Sequence, residues 1–207
     1  MSQFFQINSD NPQARLIRQA VDIVRSGGVI VHPTDSAYAL GCCIGEKKAC
    51  ERMRRIRQLS ERHNFTLICR DLSELANYAR VENSAYRFLK SKTPGAWTFV
   101  LKATSQVPRL MLHPRRRTIG IRVPDCAIAQ ALLTELGEPL VSTTLILPGD
   151  DYPMIDPYEI RQVLEHQVDL IIDGGFCGIQ ATSVVSLVGE TPEILRHGKE
   201  DVTELMN

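Results

Sequence analysis

The spacing of apolar positions changes repeatedly along the 207-residue chain. Leu16, Ile17, Ala20, Val21 and Val24 recur at three-and-four spacing, one face of a helix. Asp10-Asn11-Pro12 before them predicts a helix start with proline in the first helical position, and Gly27-Gly28 predicts its end. Val29-Ile30-Val31 is a short unbroken apolar run, the pattern of a strand covered on both faces. A polar loop over 32–36 follows, then a basic helix over 47–59 and a strand over 65–69. Two short helices are expected within 71–92, the first starting at Asp71. Thr93-Pro94-Gly95 then breaks the chain before a strand over 97–102. Further strands are expected at 118–123, 139–144, 168–172, 183–188 and 193–195, with helices at 126–136 and 157–167. Strands and helices alternate throughout, which predicts an α/β protein with a mixed or largely parallel sheet covered by helices. No repeat, low-complexity stretch or linker interrupts the pattern, so residues 1–207 read as a single domain.

Composition narrows the class. Apolar residues at 43% and charged residues at 23% are those of an ordinary globular chain rather than a disordered one. The start, MSQFFQINSD, has neither a basic opening nor an apolar run, and no stretch approaches the roughly 20 apolar residues of a membrane span. The expectation is a cytoplasmic protein with no membrane partner. Cys42, Cys43, Cys50, Cys69, Cys126 and Cys177 form no CxxC pair and read as reduced thiols, with Cys42 and Cys43 as packing residues beside Gly41. The five histidines show no ligand spacing with them, so no structural metal is expected.

Zero net charge conceals an asymmetry. Residues 1–122 hold 21 Lys/Arg against 9 Asp/Glu, and residues 123–207 hold 3 against 15. Two opposed faces that merely aid solubility would produce this. Clustering favours a cationic surface for a polyanion, because grouped Lys and Arg concentrate phosphate ligands. Arg52, Arg54, Arg55 and Arg57 form one group, and Arg115, Arg116, Arg117 and Arg122 another. Double-stranded RNA or tRNA is the expected polyanion, with Arg52, Arg54, Arg55, Arg115, Arg116 and Arg117 as its contacts.

The chain carries no GxxxxGK[ST], GxGxxG or GxSxG, so P-loop, dinucleotide and serine-hydrolase chemistry lack support. Gly174-Gly175-Phe176-Cys177-Gly178 reads as a turn. What remains is a set of hydroxyls and arginines at strand ends: Thr34, Arg122, Ser142-Thr143-Thr144, Thr182-Ser183 and Arg196. Ligands of open α/β sheets sit outside the carboxyl ends of strands, where such groups share the charge of phosphate or carboxylate oxygens. Each residue also has a plain structural reading, the threonines as turn caps and the arginines as ion-pair partners.

In order and spacing, GGVIVHPTDSAYALG, PGAWTFVLKA, IGIRVPD, EPLVST, ATSVVSL and ILRHG resemble the YrdC/YciO family of L-threonylcarbamoyladenylate synthases, closest to its YciO branch. The resemblance runs from about residue 14 to 200. It implies a twisted, open mixed sheet flanked by helices around a basic concave cleft. It implies that L-threonine, bicarbonate and ATP, with Mg²⁺, give threonylcarbamoyl-AMP and pyrophosphate, a product used to modify adenosine in tRNA. By motif, Thr34, Arg122, Ser142 and Thr182 correspond to the threonine and carbamate side. Arg57, Thr118, Thr144 and Arg196 correspond to the side that takes ATP or AMP, with Arg57 and Thr144 in the catalytic positions.

Active members of the family carry K-x-R and S-x-N motifs. Here the corresponding stretches read Arg57-Gln58-Leu59 and Thr144-Leu145-Ile146. Apolar Leu59 and Ile146 replace a guanidinium and a carboxamide, and each lost preorganised donor costs on the order of 3 kcal/mol of transition-state stabilisation. The expectation is a nucleotide-binding protein with weak synthase activity. A non-catalytic RNA binder using the same basic cleft is the alternative.

Overall fold

The computed structural model describes residues 1–60, 63–112 and 115–205. Along them run β1 (Gln3–Gln6), α1 (Ala14–Arg25), β2 (Ile30–His32), β3 (Ala39–Cys43), α2 (Lys47–Arg57), β4 (Thr66–Ile68), α3 (Leu72–Tyr78) and α4 (Asn83–Lys92). There follow β5 (Trp97–Lys102), β6 (Thr118–Arg122), α5 (Ala127–Leu136), β7 (Leu140–Thr144), α6 (Pro157–Leu164), β8 (Leu170–Asp173), β9 (Ser183–Ser186) and β10 (Glu193–Arg196). All ten strands join one sheet in the order β1-β8-β2-β3-β7-β4-β6-β5-β9-β10. The β1/β8, β2/β8, β4/β6 and β5/β9 ladders are parallel, and the other five are antiparallel. The sheet is therefore mixed rather than largely parallel. Short connections such as 33–38 and 187–192 are too brief for a crossover and turn the chain straight back.

Two starts and ends differ from expectation for local reasons. The first helix begins at Ala14, not at Pro12, because the Asn8 carboxamide oxygen accepts the N–H groups of Asp10 (2.9 Å) and Asn11 (2.7 Å) and holds them in a turn. The basic helix ends at Arg57, where Gln58 adopts a left-handed conformation. The N–H of Gln58 donates to Arg55 O and that of Leu59 to Arg54 O, a Schellman closure. Such closures place an apolar side chain back on the helix, and Leu59 packs against the main core. Two strands went unforeseen, β1 at one edge of the sheet and β3 within it.

Side chains alternate across each strand, and that alternation sorts the core into two bodies. One face carries Val31, Leu40, Leu67, Val141, Ile119, Ile121, Trp97, Phe99 and Val185 under α2, α3, α4 and α6. The other face carries Ile30, Ile68, Leu140, Leu170 and Ile172 under α1 and α5. Ile17, Ala20, Val21 and Val24 are the buried stripe of α1, as their spacing predicted. This second cover extends over only part of its face. The uncovered part bears mostly hydroxyls, a glycine and arginines, with a few aliphatic groups such as Val100 among them.

Candidate functional site

The uncovered sheet face is the floor of a cleft of about 320 Å³. Alternate strand positions build it: Thr66 on β4, Thr98 and Val100 on β5, Thr118, Gly120 and Arg122 on β6, and Ser142 and Thr144 on β7. Thr66 stands between Gly120 and Ser142 in register. A Cβ on Gly120 would lie 3.2 Å from Thr66 Oγ1, so glycine leaves the floor open at its centre. Three arginines line the cleft and, among the described residues, no carboxylate does.

Each arginine is anchored by part of its guanidinium. Arg57 donates from Nε to Ile146 O (2.7 Å) and from Nη1 to Thr143 Oγ1 (2.9 Å). Arg196 donates from Nε to Thr182 O and from Nη2 to Thr182 Oγ1, both at 2.9 Å, and Thr182 Oγ1 shares a hydrogen bond of 2.8 Å with Thr98 Oγ1. Arg122 is buried, paired through Nη2 with Asp35 and donating from Nη1 to Ser36 Oγ (3.2 Å). Arg122 Nε and Asp35 Oδ2 are buried without hydrogen-bond partners among the described residues. Burial lowers the pKa of all three guanidinium groups from the ordinary value, with Asp35 opposing that effect at Arg122. Guanidinium nevertheless stays protonated, so the cleft presents partly desolvated cations suited to an anion.

The turn after β2 forms one wall. Thr34 Oγ1 accepts the N–H groups of Ser36 and Ala37 (both 3.2 Å) and donates to Ala37 O (2.6 Å). The capping role is thus real, and the same residue lines the cleft. The Gly174–Gly178 stretch lies outside any helix or strand and packs against this turn. A Cβ on Gly174 would lie 2.8 Å from Pro33, and one on Gly178 2.8 Å from Ser36 O. Cys177 Sγ donates to Thr34 O (3.8 Å) and Cys126 Sγ to Pro33 O (3.7 Å). Burial raises both thiol pKa values, that of Cys177 to about 11, which keeps them protonated. All six cysteines are free, and Cys42 rests 3.8 Å from Cys50, sulfur to sulfur.

The structure gathers Thr34, Arg57, Thr118, Arg122, Ser142, Thr144, Thr182 and Arg196 into this one cleft. It does not bring the other arginines there. Arg52 pairs with Asp169. Arg54 donates to Ser60 O (3.0 Å) and His63 O (3.1 Å) and lies 4.5 Å over the Phe65 ring. Arg55 and Arg52 border a different, larger groove that also holds Asp22, Glu51, Glu165 and Asp169, so its charge is balanced rather than basic. Arg115, Arg116 and Arg117 are exposed on the turn before β6, outside the cleft lining. Ile146 lines the cleft, whereas Leu59 does not.

Sequence reasoning missed Ser36, His63, Asn64, Thr66 and Thr98. Thr98, between Trp97 and Phe99, carried a signal: strict alternation puts it on the face of Thr118 and Arg122. Among the described residues no three His, Cys, Asp or Glu side chains stand together as a metal group, and no helix is long and apolar enough to cross a membrane.

A mixed ten-stranded sheet with an arginine-and-hydroxyl cleft on its half-covered face defines a class of α/β fold shared with proteins of known structure. The crystal structure of E. coli YciO matches with a TM-score of 0.96 at 58% identity, covering 99% of this chain and 100% of that one. P. abyssi Sua5 complexed with L-threonine matches in fold with a TM-score of 0.90 at 22% identity, over 98% of this chain and 59% of that one. YciO of Escherichia coli (strain K12) is 59% identical over 202 residues, 98% of each chain. The Sua5/YciO/YrdC family model, described as "Telomere recombination", covers residues 22–198. The chain belongs to the Sua5/YciO/YrdC family.

Proposed function

We propose that the cleft binds ATP beside a threonine-derived carbamate and catalyses, weakly, formation of threonylcarbamoyl-AMP and pyrophosphate. The observation that carries this reading is the convergence of three arginines and a hydroxyl floor in one cleft, with no lining carboxylate among the described residues. The L-threonine complex of a protein with this fold supports it. Threonine and bicarbonate join, with loss of water, in a carbamate whose oxygen attacks the α-phosphorus of ATP. Both partners are anions, so the site must neutralise and align them rather than supply a nucleophile. Arg122, with Thr34, Ser142 and Thr182, suits the carbamate side. Arg57 and Arg196, with Thr118 and Thr144, suit the phosphates.

The donor set fits Mg²⁺ only as a companion of the nucleotide, since among the described residues the cleft offers hydroxyls and no lining carboxylate. Bound there, Mg²⁺ would neutralise phosphate charge, with Thr118 and Thr144 as the nearest type of protein donor. Ile146, apolar in the cleft wall where active relatives of the resembled family carry asparagine, accounts for weak turnover. Isothermal titration with ATP, with and without threonine and bicarbonate, tests the reading: binding strengthened by the co-substrates is expected, and no binding at millimolar ATP refutes it.

The exposed run Arg115-Arg116-Arg117 favours a second reading, contact with the backbone of duplex RNA or tRNA outside the cleft. Binding should then weaken steeply with salt for every sequence alike, and charge reversal of the run should lessen that slope. Affinity unchanged between low and moderate salt refutes it.

A further inference from the structure

Arg57 reaches the cleft from the last turn of α2 with Nε and Nη1 already engaged, while Nη2 makes no hydrogen bond among the described residues. Ile146 O is a fixed backbone anchor for Nε, so the placement of the guanidinium tip depends on what holds the Thr143 hydroxyl at Nη1. Thr143 Oγ1 accepts from a group that can only donate, so its own proton needs an acceptor. His63 Nε2 lies 3.4 Å away, and the ring lines the cleft. The ring is itself held in place. Its plane meets that of Phe65 at 78° with centroids 5.8 Å apart, and Arg54 clamps the backbone through Ser60 O and His63 O while covering Phe65.

We propose that His63 is a positioning residue for nucleotide binding: through Thr143 it holds Arg57 so that the free Nη2 meets a phosphate oxygen. The proposal rests on the nucleotide reading above. A charged imidazole would have no lone pair for the Thr143 proton and would stand beside two arginines. Burial first, then Arg57 and Arg54, lower the His63 pKa to about 4, which keeps the ring neutral and accepting near pH 7.

The test is titration of ATP into the wild type, His63→Phe, His63→Gln, Arg57→Ala and the His63→Phe/Arg57→Ala double variant. His63→Phe should weaken binding about tenfold, and in the Arg57→Ala background it should cost nothing further, the non-additivity of residues acting through one another. His63→Gln, which keeps an acceptor, should stay within about threefold of wild type. Losses that multiply across the two sites, or no loss in His63→Phe, overturn the proposal. If His63→Phe does not fold, Thr143→Val severs the same link and must show the same loss and the same non-additivity. A wild type that binds no ATP removes the nucleotide reading and this role together, whereas wild-type binding with unimpaired His63→Phe removes the role alone.

Discussion

Asp35→Asn removes one charge while leaving nearly every atom in place. Its partner Arg122 is then a cation with no counter-ion, in a pair whose side chains are 8% and 10% exposed for Arg122 and Asp35. Removing one member of a buried pair costs about 3–5 kcal/mol, because the other charge remains desolvated. For a chain of this length that corresponds to a fall of roughly 6–20 °C in Tm. The amide oxygen still accepts from Arg122, which places the expected loss towards the lower end. Two controls sharpen the measurement. Asp35→Asn/Arg122→Met removes both charges and should recover most of the lost stability, since an apolar replacement of a buried pair is often neutral or better. Bicarbonate should raise the Tm of Asp35→Asn more than that of wild type, by restoring a negative charge beside Arg122 and stabilising the folded state by mass action. Thermal melts of the three proteins, with and without bicarbonate, decide the matter. A Tm for Asp35→Asn within a degree of wild type would show that Arg122 does not depend on Asp35, and the argument from burial would fail.

Other outcomes follow from the same geometry. Arg196→Ala should weaken ATP binding by at least about tenfold, or roughly 1.4 kcal/mol, measured by titration; unchanged affinity places the phosphates elsewhere. Ile146→Asn should speed pyrophosphate release with threonine, bicarbonate and ATP, whereas Leu59→Arg should lower Tm without any gain in rate, because Leu59 packs on the core. Equal gains from both would contradict the Schellman closure of α2. His32 is fully buried, and burial above all, with Arg122 adding to it and the Pro33 carbonyl opposing it, lowers its pKa to about 4. The unfolded chain therefore binds the extra proton below about 6.5. The contribution, about 3 kcal/mol, is present above that pH and lost as pH falls towards 4. Denaturant titrations at pH 7 and 4.5 should show a smaller difference for His32→Gln than for wild type, with the remaining slope partly due to His63. An undiminished difference would refute the assignment.

Much of the fold was legible because local signals agreed with long-range packing. The strand at 97–102 follows the Thr93-Pro94-Gly95 break as expected, and the helix expected from Asp71 begins there, with Asp71 accepting the Glu74 N–H. Cleft residues at strand ends were legible because ligands of open α/β sheets sit there, although some also serve the structure, Thr34 as a turn cap and Arg122 as an ion-pair partner. What escaped reading depended on contacts distant in sequence. β3 contains Ala39 and Gly41, weak strand formers, and exists because β2 and β7 pair with it on either side. His63 is placed by Arg54, Phe65 and Thr143, none of which marks it in the sequence. The fate of Leu59 turned on one left-handed residue, Gln58, that nothing in its identity announces.

The alternation that divides each strand between core and cleft separates two kinds of evolutionary risk. On β5 the residues that hold the fold together are Trp97, Phe99 and Leu101, while Thr98 and Val100 between them belong to the cleft. On β6 the same division sets Ile119 and Ile121 against Thr118, Gly120 and Arg122. A mutation at a cleft position alters the floor without opening a cavity beneath α2 or α4, so, on the proposed function, substrate choice can drift while the scaffold persists. Arg122 is the exception, because its charge is tied to Asp35 in a largely buried pair. The freedom to change ligands is therefore greatest across the hydroxyl floor and smallest at that one ion pair.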